Sequence, residues 1–208
     1  MLLFSRMATP TVSPKKAMPF VHKVTAYVNE HSDLELSCWL ATLGVPVGTV
    51  AWSTVAESQA ALAAANAGLM NDPGYLDVLE EGEALGNTPA VDSLRNHIYG
   101  DRKASAVGSV LQMTSGVAET ARLADAIGWA VDMASYVESV INSPVVVTNS
   151  VTGTLGELSF ISVQDGYEQV DSARNALQAD TGYLERIAKS DGLFVSGSGH
   201  VVQAMRII

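Results

Sequence analysis

Two short stretches, Asp72-Pro73-Gly74-Tyr75-Leu76 and Asp180-Thr181-Gly182-Tyr183-Leu184, decide the fold of this chain. Four of their five residues are identical, and they lie 180 − 72 = 108 residues apart. The same offset aligns residues 48–85 with residues 156–193 without a gap. Two unrelated alanine-rich helices would share scattered matches, but not a common block preceded by matching strands. The chain is therefore interpreted as two copies of one unit.

The copies span about residues 1–101 and residues 102–208, which we take as two repeats. The stretch Gly100-Asp101-Arg102-Lys103 at their junction is polar and contains glycine, as is typical of an exposed connection. We expect the two copies to share one barrel, and therefore to form one folding body.

Hydrophobic periodicity predicts the order β-α-β-β-α-β in each copy. In the first copy the predicted elements cover residues 2–8, 14–31, 34–43, 49–55, 58–81 and 93–99. In the second copy they cover residues 106–114, 118–141, 145–151 and 157–163, a helix from about residue 165 through Leu184, and residues 201–207. Pro19 is expected to kink the first helix or to delay its start.

This order is the split βαβ, or ferredoxin-like, arrangement, so the predicted class is α+β. Helices on one side of a four-stranded antiparallel sheet leave the other face bare, and a bare apolar face must be buried. The two repeats are therefore expected to pair their sheets into a pseudo-dimeric α/β barrel. The repeated Asp-x-Gly-Tyr-Leu block resembles the dimeric α/β-barrel superfamily, which includes antibiotic-biosynthesis monooxygenases, NIPSNAP-like proteins and stress-responsive barrel proteins.

The composition excludes several classes of function. A net charge of −10 makes nucleic acid an unsuitable partner, since phosphate binding needs clustered Lys and Arg. With a single cysteine, no signal sequence and no apolar run that could span a bilayer, the chain is expected to be cytoplasmic and not bound to a membrane. The low charged fraction of 16% is compatible with a homo-oligomer.

The last strand of each copy carries the most polar mixture, and alternate residues of a strand share a face. In the first copy that face is predicted to hold Ser93, Arg95, His97 and Tyr99. The equivalent face of the second copy is predicted to hold Val201, Gln203, Met205 and Ile207. We take Arg95, to fix an oxygen, and His97, to exchange a proton, as catalytic candidates. Tyr99, Gln203 and Met205 are candidates for binding substrate. The alternative for Ser93, Arg95 and Tyr99 is that they form an exposed strand face.

Trp39 and Trp52 on neighbouring strands could stack on a flat ligand, or they could pack helix against sheet. The four histidines show no metal-ligand spacing, and no phosphate-binding loop or nucleophile elbow occurs. Haem-degrading members of the superfamily use an Asn, a Trp and a His that cannot be placed here. We therefore expect neither metal nor cofactor.

Two functions remain open. In the first, the barrel binds a small hydrophobic or aromatic molecule, and the resemblance implies a cofactor-independent monooxygenase or cyclase acting on an aromatic or polyketide-like substrate. In the second, the barrel is filled with side chains, and the chain is a non-catalytic binding or assembly protein. A cavity lined by the candidate residues would favour the first.

Overall fold

A computed structural model describes residues 1–83, 85–86 and 89–208 of the chain. The chain divides into two compact units. The first comprises residues 1–94 together with residues 207–208, and the second comprises residues 95–206. These units are defined by packing; the repeat boundary at residues 101 and 102 stays a prediction.

The first unit alternates strands with helices in the predicted order. Its strands are β1 (Leu2–Ala8), β2 (Ser37–Leu43), β3 (Val50–Ala56) and the start of β4 (Val91–Tyr99). Its helices are α1 (Pro14–His31), α2 (Gln59–Met70) and α3 (Pro73–Glu83). Val21 of α1 packs on Cys38 and Val50 to form one part of its core.

The second unit begins with the rest of β4 and repeats the same order of elements. Its further strands are β5 (Val110–Val117), β6 (Val145–Ser150), β7 (Glu157–Gln164) and β8 (His200–Arg206). A 3-10 turn, Thr120–Arg122, leads into α4 (Leu123–Ile141), which is followed by α5 (Tyr167–Ala179) and α6 (Thr181–Ala188). Its core joins small residues of α4, among them Ala130, to Val147 and Leu158 of the sheet.

The hydrogen-bonded strands follow one another in the order β1-β3-β2-β8-β5-β7-β6-β4 and close on themselves. The pairings of β3 with β1 and β2, of β6 with β4 and β7, and of β5 with β7 and β8 are antiparallel. The predicted α+β class and the barrel of antiparallel strands are thus confirmed.

The predicted second helix of each copy is wrong in one respect, because it is two helices. α2 ends at Met70 and α3 begins at Pro73. Asp72 precedes this proline, and the residue before a proline disfavours helical backbone angles. In the second unit Asp180 has extended backbone angles and its side chain accepts a hydrogen bond from the Tyr183 nitrogen, so it caps α6.

The repeated block therefore forms a helix junction held by a tyrosine from another helix. The Tyr136 hydroxyl of α4 donates to Asp180 over 2.8 Å, and the Tyr27 hydroxyl of α1 donates to Asp72 over 2.7 Å. A Cβ on Gly182 would overlap the Tyr136 hydroxyl, so only glycine lets the tyrosine approach. This explains why aspartate, glycine and their spacing recur together.

Pro19 lies inside α1 and does not delay its start at Pro14, so of the two expected effects the kink stays a prediction. Pro14 occupies the first turn after Ser13, where a missing N–H costs nothing.

Candidate ligand-binding cleft

Polar side chains lie on one face of the second unit's sheet, where β5 pairs with β7. The register places Gln112 opposite Ser162 and Thr114 opposite Phe160. Gln164, two residues beyond Ser162 on the same face, is opposite Val110. These side chains form the floor of a cleft.

Helices α4, α5 and α6 form the other walls of this cleft, which has a volume of about 270 Å³. Most of the residues contributed by the helices are apolar: Trp129, Met133, Val137 and Ile141 from α4, Val170, Ala173 and Leu177 from α5, and Ile187 from α6. An apolar pocket with a few polar groups is typical of a small-molecule site.

One side of the cleft is aromatic. The rings of Trp129 and Phe160 meet edge to face, with centroids 5.9 Å apart, and Phe194 contacts Trp129 in the same way at 5.4 Å. The Trp129 Nε1 donates to the carbonyl of Arg186 over 2.9 Å, which fixes the indole. The cleft therefore presents an ordered aromatic surface to a flat ligand.

The amide of Gln164 is the unusual group of the floor. The residue is 6% exposed, and its Nε2 is buried without a hydrogen-bond partner among the described residues. A buried donor without an acceptor costs about 1–3 kcal/mol. Neighbouring amides do find partners, since the Gln203 Nε2 donates to the Gln112 Oε1 over 3.1 Å.

The described residues that line the cleft include one ionic side chain, Arg174, and no Asp, Glu or His. Burial raises the pKa of Tyr183, so its hydroxyl stays protonated. The described residues that line the cleft include no histidine, which is the usual protein ligand of haem iron.

The opposite face of this sheet carries a polar row that crosses five strands. In register, from β4 to β8, the row consists of His97, Thr148, Ser159, Ser115 and His200. The Ser115 hydroxyl lies 3.1 Å from the His200 Nδ1, and the Oγ1 of the fully buried Thr148 has no partner among the described residues.

Arg95 and His97 lie on this opposite face and not in the cleft. The Arg95 guanidinium donates to the Glu157 carboxylate over 2.7 Å and to the Ser159 hydroxyl over 2.8 Å. The His97 Nε2 lies 2.6 Å from the Gly100 carbonyl oxygen, at the rim of an open groove of about 690 Å³. The ion pair gives Arg95 a structural role, while the catalytic assignment of both residues stays a prediction.

Tyr99 does not share the face of Arg95 and His97, because the register of β4 shifts between His97 and Tyr99. Tyr99 is opposite Val147, and its hydroxyl donates to Glu138 of α4 over 2.8 Å.

Gln203 and Met205 also occupy the helix side of the sheet, opposite Gln112 and Val110. Of the predicted binding residues, Gln203 comes near the cleft, through its hydrogen bond to Gln112.

The two strand tryptophans face opposite sides of the first unit's sheet. The Trp52 Nε1 donates to Thr25 of α1 over 2.8 Å, so Trp52 packs helix against sheet. Trp39 is opposite Ala51, and its Nε1 donates to the Ser53 hydroxyl over 2.9 Å on the other face. The neighbouring Cys38 is fully buried, and burial raises its pKa to about 12, which makes it an inert thiol.

Sequence reasoning missed Gln112, Gln164 and Arg174. A comparison of the two halves of the sequence could have pointed to them, because the residues 108 positions earlier differ: they are Phe4, Ala56 and Asn66. Two apolar residues of the first copy thus stand where the second has amides. These polar residues of the second half lie on the sheet face that the helices cover.

The described part of the chain holds no group of three or more His, Cys, Asp or Glu side chains that could bind a metal. Within the same residues, no helix is both long enough and apolar enough to span a membrane.

Solved structures share this fold along the whole chain. A protein described as a "putative monooxygenase" from Fusobacterium nucleatum is 5% identical and matches with a TM-score of 0.72, covering 100% of this chain and 93% of its own. An anthrone oxidase-like protein is 11% identical, with a TM-score of 0.68 and coverage of 100% and 92%. A second "putative monooxygenase", from Lactobacillus acidophilus, is 12% identical, with a TM-score of 0.66 and coverage of 99% and 94%.

No protein-family model matches the sequence, and no curated protein matches it significantly. At these identities the structural likeness shows the fold alone. The chain has the ferredoxin-like α/β-barrel fold of these proteins.

Proposed function

We propose that the chain binds a small, flat, largely apolar molecule in the cleft of its second unit. The observation that carries this proposal is the buried, unpartnered Gln164 nitrogen in an apolar cleft. A carbonyl or phenolate oxygen of the ligand accepts from this nitrogen, while Trp129 and Phe160 contact its rings. The ligand thereby satisfies a donor that the protein leaves unpaired.

The reaction we propose is cofactor-independent oxygenation of an aromatic ketone or phenol, and the names of the structural neighbours support it. Anthrone, C14H10O, is a suitable probe because it carries a carbonyl and an acidic methylene. The methylene proton passes to solvent water, because no Asp, Glu or His is among the described residues that line the cleft, and it leaves an enolate whose oxygen accepts from the Gln164 Nε2. The carbanion reduces O2, a peroxide forms at that carbon, and loss of water gives the ketone. The balance is C14H10O + O2 → C14H8O2 + H2O.

The test measures anthrone binding and oxygen consumption above the protein-free rate. Gln164→Leu is the informative variant, because an apolar side chain of similar size removes the donor and its burial cost together. We expect this variant to keep or raise the melting temperature while its affinity for anthrone falls about tenfold. Gln169→Leu, at an exposed position of α5 outside the cleft, serves as the matched control.

Unchanged affinity in Gln164→Leu would contradict the proposed site. Arg95→Ala and His97→Ala are assayed alongside, since both remain catalytic candidates. Loss of turnover in His97→Ala alone, with the fold intact, would move the chemistry to the opposite face of the sheet. Arg95→Ala also breaks the Glu157 ion pair, so its melting temperature must be measured first.

A second candidate is binding without turnover. It is favoured by the absence of Asp, Glu and His among the described residues that line the cleft, since no strong side-chain base touches the ligand there. Saturable anthrone binding without oxygen consumption above background would establish this alternative.

A further inference from the structure

We infer that the cleft selects organic anions, and that Arg174 determines this selectivity. The ligand class is an aromatic acid whose rings lie among the apolar residues and whose carboxylate or sulfonate lies beside Arg174. This inference deepens the proposed function and rests on it.

The distribution of charge around the cleft carries the argument. The chain has 22 acidic and 12 basic residues, yet Arg174 is the one ionic side chain among the described residues that line the cleft. If the residues that line the cleft were drawn at random from this chain, carboxylate side chains would occur there more often than guanidinium groups. An anion that the rest of the protein repels is therefore attracted at this place.

The position of Arg174 suits an anionic head group. Its side chain is 60% exposed, so it can reach both the cleft and solvent. Its Nη2 lies 2.9 Å from the Asp171 carboxylate on the same helix, which uses one of five N–H donors. Gln178, one turn further along α5, also lines the cleft and can supply an amide donor to the same group.

The first copy lacks these groups. The residues 108 positions before Arg174 and Gln178 are Asn66 and Met70. The charge is thus specific to the copy that carries the polar floor, which is expected if both belong to one ligand site.

A pair of dyes with the same ring system tests the inference. 1-Anilinonaphthalene-8-sulfonate is anionic, and N-phenyl-1-naphthylamine is its uncharged counterpart. Both are titrated by fluorescence into the full chain and into Arg174→Gln. We expect the variant to bind the sulfonate about fivefold more weakly, and the neutral dye within twofold of the unmodified chain. Added salt should weaken the binding of the sulfonate alone.

Arg122→Gln is the matched control, because Arg122 also forms an exposed ion pair three residues along its chain, with Asp125, but lies outside the cleft. This control should leave both dyes unchanged. Equal losses for both dyes in Arg174→Gln would overturn the inference, since Arg174 would then act through packing. No loss for either dye would overturn it too, while Gln164→Leu still reports on the cleft itself.

The outcomes separate this inference from the proposed function. Suppose that Ala173→Phe, which fills the cleft, abolishes binding of both dyes but that Arg174→Gln affects neither. The proposal that the cleft binds ligand is then supported, and the inference that it selects anions is overturned. If both dyes bind equally well to Ala173→Phe, folded as judged by its melting temperature, then they bind elsewhere. That result overturns the cleft proposal, and the inference with it.

Discussion

At the scale of single residues, the decisive contact joins a tyrosine to the glycine of the repeated block. Tyr136 reaches Asp180 across Gly182, and Tyr27 reaches Asp72 across Gly74. A cationic or aromatic group covers each tyrosine ring. The Arg186 guanidinium lies 3.7 Å from the Tyr136 centroid, and the His31 ring stacks on Tyr27 at 3.9 Å.

Gly182→Ala should lower the free energy of unfolding by about 1–3 kcal/mol, because the added methyl group overlaps the Tyr136 hydroxyl and phenol carbon. Gly128→Ala in α4 is the matched control, since Gly128 is an exposed helical glycine and a methyl group added there would meet no neighbouring side chain within 4 Å. It should stabilise the chain by about 0.5–1 kcal/mol. Urea denaturation measures both, and equal effects would contradict the tyrosine contact.

Asp180 should make stability depend on pH. The Tyr183 N–H and then the Tyr136 hydroxyl lower its pKa below the ordinary 3.8. A carboxylate with a lowered pKa contributes stability above its unfolded-state pKa, and that contribution is lost as the pH falls from that value through the lowered one. The melting temperature should therefore fall less between pH 7 and pH 2.5 in Asp180→Asn than in the unmodified chain.

Asp191→Asn, at an exposed position beyond α6, provides the comparison for that measurement. If it changes the acid sensitivity as much as Asp180→Asn does, the effect is one of net charge and not of the helix junction.

At the scale of elements, periodicity predicted most of the helices and strands. The predicted first helix, residues 14–31, coincides with α1. Its apolar spacing indicates the buried face of the helix, and Pro14 indicates where the helix begins. The breaks at Asp72 and Asp180 escaped prediction, since the apolar face continues from α2 into α3 and from α5 into α6. Only the capping geometry distinguishes two helices from one.

The side of the sheet on which a residue lies is harder to predict than the helices and strands themselves, because of the geometry of a strand. A strand alternates its faces at every residue, so the shifted register after His97 reverses the side of Tyr99. Such a bulge leaves no clear mark in the sequence. Sequence alone also does not tell which face of a strand the helices cover, and the register places Gln203 and Met205 on the helix side, away from the face of Arg95.

Thr181→Pro should stabilise the junction between α5 and α6. The first unit has Pro73 at the corresponding position, and Thr181 follows a cap whose backbone is extended, with φ −89° and ψ 115°. Proline suits the first position of a helix, and an extended residue before it is already favourable. The expected gain is up to about 1 kcal/mol, through lower entropy of the unfolded chain.

Pro73→Thr is the reciprocal variant and should lose a similar amount. Thermal denaturation of both variants decides the point. A fall in the melting temperature of Thr181→Pro would show that the two junctions differ in backbone, in spite of their shared block.

At the scale of the whole molecule, one order of elements occurs twice and carries different side chains. Residues 2–99 and 110–206 run through the same sequence of strands and helices. In the first copy, the residues aligned with the cleft floor are Phe4 and Ala56, and Trp52 is held by Thr25. In the second, the floor is Gln112 and Gln164, and Phe160 lies against Trp129. If the chain is a tandem duplication, as its sequence predicts, both copies keep one order of elements, and polar residues stand in the second copy where the first has apolar ones.

The chain should therefore bind one ligand molecule, not two. Isothermal titration with 1-anilinonaphthalene-8-sulfonate is expected to give one site per chain, because the aligned positions of the first copy lack both the amides and the guanidinium. Ala173→Phe should remove that site, whereas Ala65→Phe, at the aligned position of α2, should leave the stoichiometry unchanged. Two equivalent sites per chain, or loss of binding in Ala65→Phe with the fold intact, would mean that the polar replacements do not define the site. The apolar residues common to both copies would then be what recognises the ligand.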